Sequence, residues 1–415
     1  MVELMLLFMV LIYAFGIFNA KCMVYAFYGG FFLLNYGIDG AITFYRGALY
    51  FSPAFYYSYI DVNSYVYTMA MANACLLIYT LMYLYFLGIV RCDQKVFFEK
   101  KIFFFDKKVF LVIGLPLIFI PAVYKDVVSG IGFEILLSNR QLFFSDNIIA
   151  QVLLYFVPAC CVVAFFVFWN SFDFLIKTLS LVLFVVLAGI TLLSGSRSSF
   201  VLSVVMPIFM YLFYEKTSNL KGGEKYYFFG LLSIAVFVLL QLSSFYRDKT
   251  RGEQDYENLF VSPDVVSFDS SAFIVDSNIT GVFSYLSAVT FLVPRSFWPN
   301  KPESGNVVYS SELFGDRLME TGAEMTASII GEAYINFWYF GIISSAVILL
   351  GFTVAAKVLL SSRHEFLFLL GLMIFFRGSN IIRGDLLNTL LPIFFSALAF
   401  FVLKKYVTGK KYLIG

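Results

Sequence analysis

Long apolar runs recur along the chain, broken by short polar stretches. Their length matches the about 17–25 residues that a helix needs to cross roughly 30 Å of hydrocarbon. The pattern predicts eleven spans (ten to twelve, as the shorter runs are counted). They lie at about 3–20, 22–38, 63–90, 109–124, 148–169, 178–194, 199–214, 226–245, 328–356, 365–382 and 386–403. The expected fold is therefore an all-α polytopic membrane protein. Residues 41–60 are rich in Tyr and Phe and read as an interfacial element, because rings with a polar tip favour the headgroup zone. The first run follows no basic segment and ends at no small-residue cleavage site, so it reads as a retained span. The longest polar stretch is 246–327, inside which 279–293 is too short and too polar to cross and reads as a surface or re-entrant helix. Three regions follow: an N-terminal bundle at 1–245, a long outer loop at 246–327, and C-terminal spans with a basic tail at 328–415.

Composition agrees with the pattern. The 415 residues are 60% hydrophobic and 13% charged, against about 25% charged in soluble domains. Too little polar surface is present to coat a water-exposed body of this size. No strand-like alternation with regular turns occurs, so an outer-membrane barrel is not expected.

Charge sets the orientation. The strongest basic loop, 91–108, goes to the cytoplasm, and alternation places the N-terminus outside. The two cations then separate. Fifteen of the eighteen lysines fall inside, and nine of the eleven arginines fall outside. A guanidinium is a planar fork with five donors that matches phosphate oxygens and stays charged. An outer face rich in Arg suits a diphosphate or acidic-sugar site, although each Arg can equally pair with an acid of the long loop. No cysteine falls in an outer loop, so no external disulfide is implied.

Three charged sites stand at membrane depth, where a charge costs about 2.5–3.5 kcal/mol on insertion scales. Arg197 lies in LLSGSRSSF, whose Gly and Ser residues let backbone N–H groups approach an anion. Arg377 and Arg383 lie in FFRGSNIIRGD, and Glu332 in IIGEAYINFW. Snorkelling of Arg383, or an ion pair between Glu332 and one of the arginines, are the structural alternatives. No P-loop, HExxH, paired Cys/His or DxD motif occurs, and the lone His364 falls in an expected cytoplasmic loop. Nothing in the sequence calls for a cofactor or a metal, or suits nucleic acid.

Late in the chain the residues take on a family likeness. GSR at 195–197, PRSFWPNKP at 294–302, GEAYINFWYFG at 331–341 and RGSNIIRGDLLNTL at 377–390, set among many spans with one long outer loop, resemble the Wzy-type O-antigen polymerases. The likeness is architectural over most of the chain and residue-level only in its second half. It implies a GT-C-like fold working at the outer face of the bacterial inner membrane, with no metal. The substrate would be a glycan carried on undecaprenyl diphosphate. It would be passed to the non-reducing end of an incoming lipid-linked repeat unit, with a chain-length-regulating co-polymerase as partner. On that reading Arg197, Arg295, Arg377 and Arg383 hold the departing diphosphate. Glu332 or Glu324 acts as base, with Arg295 beside the reacting bond. Trp298, Tyr334 and Lys301 contact the glycan, although Trp298 suits equally an anchoring role between Pro294 and Pro299. The competing classes are an O-antigen ligase, disfavoured by the lack of a histidine in the outer loop, and a lipid-linked glycan transporter, which would show repeat symmetry.

Overall fold

The computed structural model describes residues 2–20, 22–46, 61–87, 102–105, 148–193, 200–218, 267–293, 295–315, 325–362, 364–404 and 407–410, with isolated positions between 110 and 117 and between 231 and 238. The expected spans at 109–124 and 226–245 lie almost wholly outside these residues, as do Arg197, Glu324 and the greater part of the 41–60 segment.

Among the described residues the architecture is helical, with one two-stranded antiparallel pairing of β1 (Ile102–Phe105) and β2 (Val407–Lys410). Among the described residues, five helical stretches are long and apolar enough to cross a membrane: Val2–Ala20, Val62–Phe86, Phe174–Thr191, Ile329–Leu360 and Glu365–Ile382. These are compatible with a multi-pass helical membrane protein. The chain divides into two compact units that interleave along the sequence. One comprises Met1–Arg91, Asn219–Ala355 and Gly378–Leu390, and the other Cys92–Ser218, Ala356–Arg377 and Leu391–Gly415. The described residues of the 246–327 stretch are grouped with the first helices.

In the first unit, α1 (Val2–Ala20) and α4 (Val62–Leu87) match the expected spans. Between them α2 (Met23–Phe32), a π-helical segment (Leu33–Ile38) and α3 (Asp39–Arg46) run on without a break. At 1.5 Å per residue they form one rod about 36 Å long. The second span therefore runs past its expected end at 38. A π segment rotates the residues that follow it relative to an unbroken α-helix, and such segments often sit at functional sites. Here it turns Asn35, Tyr36 and Asp39 toward buried polar partners. The rod is held by a tyrosine stack: Tyr25 lies 5.3 Å from both Tyr79 and Tyr83, and its hydroxyl meets Thr80 at 2.7 Å.

The expected span 328–356 is not one helix. It consists of α11 (Ile329–Phe337), a 3-10 turn (Trp338–Phe340) and α12 (Gly341–Leu360). Ser345 Oγ donates to the Ile329 carbonyl at 3.2 Å. In a straight helix these residues would be about 24 Å apart. A Cβ on Gly341 would overlap the Ala333 carbonyl. Both contacts place α11 folded back along the start of α12 as a hairpin. The reversal needs Trp338 at φ +53°, a conformation costly for a residue with a Cβ. Of this stretch, α12 by itself has the about 20 residues that a crossing needs. Around this hairpin lie α8 (Ser267–Asp276), α9 (Ser284–Val289) and α10 (Gly305–Phe314).

In the second unit, α5 (Ile148–Asn170) and α6 (Phe174–Leu193) form a helical hairpin. Asp173 caps α6 by accepting from Leu175 N at 2.8 Å. Cys160 and Cys161 are both buried in the core. A second π segment (Val201–Val205) leads into α7 (Met206–Ser218). Helix α13 (Glu365–Gly378) belongs to this unit as far as Arg377; the 3-10 turn (Ser379–Ile382) and the start of α14 (Leu386–Lys404), as far as Leu390, belong to the first unit, and the rest of α14 to the second.

Candidate functional site

The polar centre of the first unit is built from the beginnings of helices. The first four N–H groups of any helix lack intrahelical acceptors. Where a helix starts inside an apolar body, side chains must supply those acceptors. Four helices start this way here: α8, α10, α11 and α14.

Glu332, in the first turn of α11, is 1% exposed. Its Oε1 accepts from Ser284 Oγ at 2.9 Å and its Oε2 from Leu386 N at 2.7 Å, the first N–H of α14. It also accepts from Gly305 N at the start of α10. A Cβ on Gly305 would stand 2.8 Å from Glu332 Cγ, so any larger residue there would displace the Glu332 side chain. Asp385 repeats the pattern. Its Oδ1 accepts from Asn388 N at 2.8 Å and its Oδ2 from Asn306 N at 3.1 Å. Two neighbouring carboxylates therefore tie α10, α11 and α14 together at their positive dipole ends. Burial pushes the Asp385 carboxyl above its ordinary range, and the N–H groups of Asn388 and Asn306 pull it part of the way back.

Asn336 completes this side. Its Nδ2 donates to Ser284 Oγ at 2.8 Å and to the Glu332 carbonyl at 2.7 Å, while its Oδ1 accepts from Tyr285 N at 3.1 Å. A carboxylate offers about four acceptor positions. Three on Glu332 are occupied, so the group keeps the capacity to take a proton.

A second cluster lies at the start of α8. Asp39 Oδ2 accepts from Phe268 N at 3.1 Å, Asn35 Oδ1 accepts from Ser267 Oγ at 3.2 Å, and Thr43 donates to Asp269. Tyr36 OH accepts from Ile330 N at 3.2 Å, and Ser271 meets Ser328 at 2.6 Å. Ser328 is held at φ +64°, a strain of about 1–3 kcal/mol for a residue other than glycine. Its hydroxyl accepts from Gly331 N at 3.4 Å.

The candidate residues read from the sequence separate by environment. Glu332, Tyr334, Arg377 and Arg383 are buried, the two arginines at 5% and 4% exposure. Arg377 lies in the last turn of α13, and Arg383 follows the 3-10 turn. Tyr334 is committed to local bonds: its OH donates to Asn278 Oδ1 at 3.1 Å and accepts from Trp338 Nε1 at 2.9 Å. Arg295 is exposed. It pairs with Glu303 at 3.5 Å and donates to the Lys301 carbonyl at 3.2 Å. Lys301 Nζ donates to the Val293 carbonyl at 3.3 Å, and partial burial together with Arg295 pushes its amine down. Trp298 is half-buried in this same loop. Arg295 and Lys301 therefore brace a surface turn. Arg295→Ala is expected to change thermal stability in detergent by no more than about 0.5 kcal/mol, since an exposed pair contributes little.

Sequence reasoning missed Asp385, Asp39, Asp269, Ser284 and Asn336. Asp385 had a legible signal, an N-cap Asp directly before an apolar helical run. Asp39 had one too, a carboxylate at the end of an apolar run. Asp269, Ser284 and Asn336 sit in ordinary polar contexts that carry no signal. Among the described residues no group of His, Cys, Asp and Glu has a geometry that would hold a metal ion.

The described residues thus have the helix lengths of a multi-pass membrane protein, and the first unit has a buried polar centre made of helix N-termini, carboxylates and hydroxyl and amide side chains. Comparison with family models, with curated proteins and with solved structures gave no match to the chain.

Proposed function

We propose that the chain polymerises lipid-linked oligosaccharide repeat units, as the Wzy-type resemblance implies. The reading includes about eleven spans in a GT-C-like arrangement, residence in the bacterial inner membrane, and a site on its outer face. A hydroxyl at the non-reducing end of the incoming unit attacks the anomeric carbon of the growing chain. A new C–O bond forms as the bond to undecaprenyl diphosphate breaks. The hydroxyl proton passes to Glu332 or Glu324, and the electron pair leaves on the diphosphate. Arg197, Arg295, Arg377 and Arg383 stabilise that leaving charge. Trp298, Tyr334 and Lys301 are assigned to the glycan. A chain-length regulator is the expected partner.

The observation that carries the reading is the burial of two arginines close together in the sequence, Arg377 in the last turn of α13 and Arg383 just after the 3-10 turn. Buried arginine at membrane depth is costly and marks a site for anionic chemistry. A donor aimed at the leaving oxygen lowers the barrier by about 2.7–4 kcal/mol, so its removal costs about 10²–10³ in rate. Arg383→Ala is therefore expected to abolish long-chain polysaccharide in a complemented polymerase-null strain. Arg383→Lys should recover only part, since an ammonium lacks the fork. Normal polymer from Arg383→Ala at wild-type expression removes Arg383 from the mechanism.

One observation favours a second reading. A broken helix whose N-terminus is held inside the bundle is a feature of transporters. Purified protein in vesicles distinguishes the two: a polymerase lengthens lipid-linked repeat units, whereas a transporter moves them across the bilayer without lengthening them.

A further inference from the structure

Helix α9 is inside out. Ser284, Ser287 and Ala288 face the interior, and Ser284 reaches Glu332. Leu286 (40%) and Val289 (74%) face outward, preceded by Phe283 at 62%. In water each exposed side chain of this kind forgoes about 1.5–3 kcal/mol of burial. A helix that hides its serines and shows its apolar residues has apolar surroundings. The exposed surface continues through Leu292 at 65% and Phe297 at 84%. It also continues onto the 338–340 turn, where Trp338 is 50% and Phe340 75% exposed. Contact between Tyr285 and Phe337, rings 5.9 Å apart, joins the two parts.

The bilayer is the occupant that the surrounding helices specify. Helices α4 and α12 are both long and apolar enough to cross. Tyr67, near the start of α4, meets Tyr339 at 6.1 Å, just before α12 begins. Farther along, Tyr79 OH and Thr353 Oγ1 meet at 2.8 Å. The two helices therefore start at one level and run the same way. The aromatic surface lies at that level, where Trp and Tyr favour the membrane–water boundary. Arg295, Lys301 and Glu303, on the loop that carries Phe297, supply polar groups suited to the headgroup side.

We propose that α9, the loop bearing Leu292 and Phe297, and the 338–340 turn form one platform that lies in the headgroup–acyl boundary of the bilayer without crossing it. The partner is a lipid surface. The inference does not rest on the polymerase reading.

The chain has three tryptophans, so Trp169→Phe with Trp298→Phe leaves Trp338 as the only tryptophan, excited selectively at the red edge where tyrosine does not absorb. The full-length variant is placed in phosphatidylcholine–phosphatidylglycerol vesicles whose acyl chains carry bromine at defined depths. Trp338 is expected about 5–10 Å below the headgroups. Bromine near the glycerol end should then quench it more than bromine near the methyl end, and aqueous acrylamide should quench it weakly. Three outcomes overturn the proposal: strongest quenching from the methyl end (a buried span), quenching by acrylamide alone (a watery face), or quenching by neither (a protein cover). A second reporter, Phe297→Trp in a background lacking the three native tryptophans, must give the same shallow depth.

Discussion

Glu332→Ala is expected to destabilise the first unit by about 3 kcal/mol or more, whereas Glu332→Gln leaves it folded. Alanine removes the acceptor for Ser284 Oγ, Leu386 N and Gly305 N. Each buried donor left unsatisfied costs about 1–3 kcal/mol, and the vacated volume adds a cavity cost. A protein with a total stability of about 5–15 kcal/mol has little margin for that loss. Glutamine keeps the volume and one acceptor oxygen, so its loss is smaller: its NH2 group leaves about one backbone N–H, of Leu386 or Gly305, unpaired, at a cost of about 1–3 kcal/mol. Thermal unfolding in detergent and limited proteolysis check the difference. The pair also separates structure from chemistry. If Glu332 is the base, Glu332→Gln folds but loses about 10²–10⁴ in polymer formation, the usual share of general base catalysis. A folded Glu332→Gln with full activity leaves Glu332 as a brace for helix starts and moves the base elsewhere.

Gly341→Ala is expected to lower stability by about 1–3 kcal/mol, the cost of overpacking a tight contact, and Gly341→Leu is expected to prevent accumulation of folded protein. The added Cβ would overlap the backbone carbonyl of Ala333 and stand 3.0 Å from its Cβ. Backbone atoms cannot rotate away as a flexible side chain can, so the hairpin of α11 and α12 must open. Opening it moves Ile329 off Ser345 and shifts Glu332. Gly351, farther along α12, is the internal control, since a Cβ there meets nothing within 4 Å. Gly351→Ala should be neutral or stabilising by up to about 1 kcal/mol, because alanine is the better helix former. Equal loss from both substitutions would show that the close approach at Gly341 does not hold the hairpin.

Particular elements show why some of the structure was legible and some was not. The bounds of α1, α4, α5 and α14 follow the apolar runs to within a few residues. The run at 328–356 misled because α11 and α12 are both apolar. Nothing local in NFWYFG distinguishes a reversal at Trp338 from a continuous helix. Helix α8 misled in the opposite sense. Its SFDSSAFIVD sequence reads as part of a solvated outer loop, yet Ser267, Asp269, Ser270 and Ser271 are almost wholly buried. Its partners on the π segment and α3 lie more than two hundred residues earlier. Glu332 was recognised as a charge at membrane depth. Its three donors, which come from three other helices, were not.

Sequence alone pointed to a hydrocarbon solvent, with which the long apolar helices are compatible, and gave the rough positions of those helices. Hydrocarbon thickness imposes a length and an apolarity that any window of the chain can be tested against. The tertiary structure decided which polar residues are interior and which apolar ones face outward. Each helix start buried in an apolar body needs an acceptor, and distant segments such as Asp39, Ser284 and Asp385 supply it. Those pairings exist only after the helices have packed.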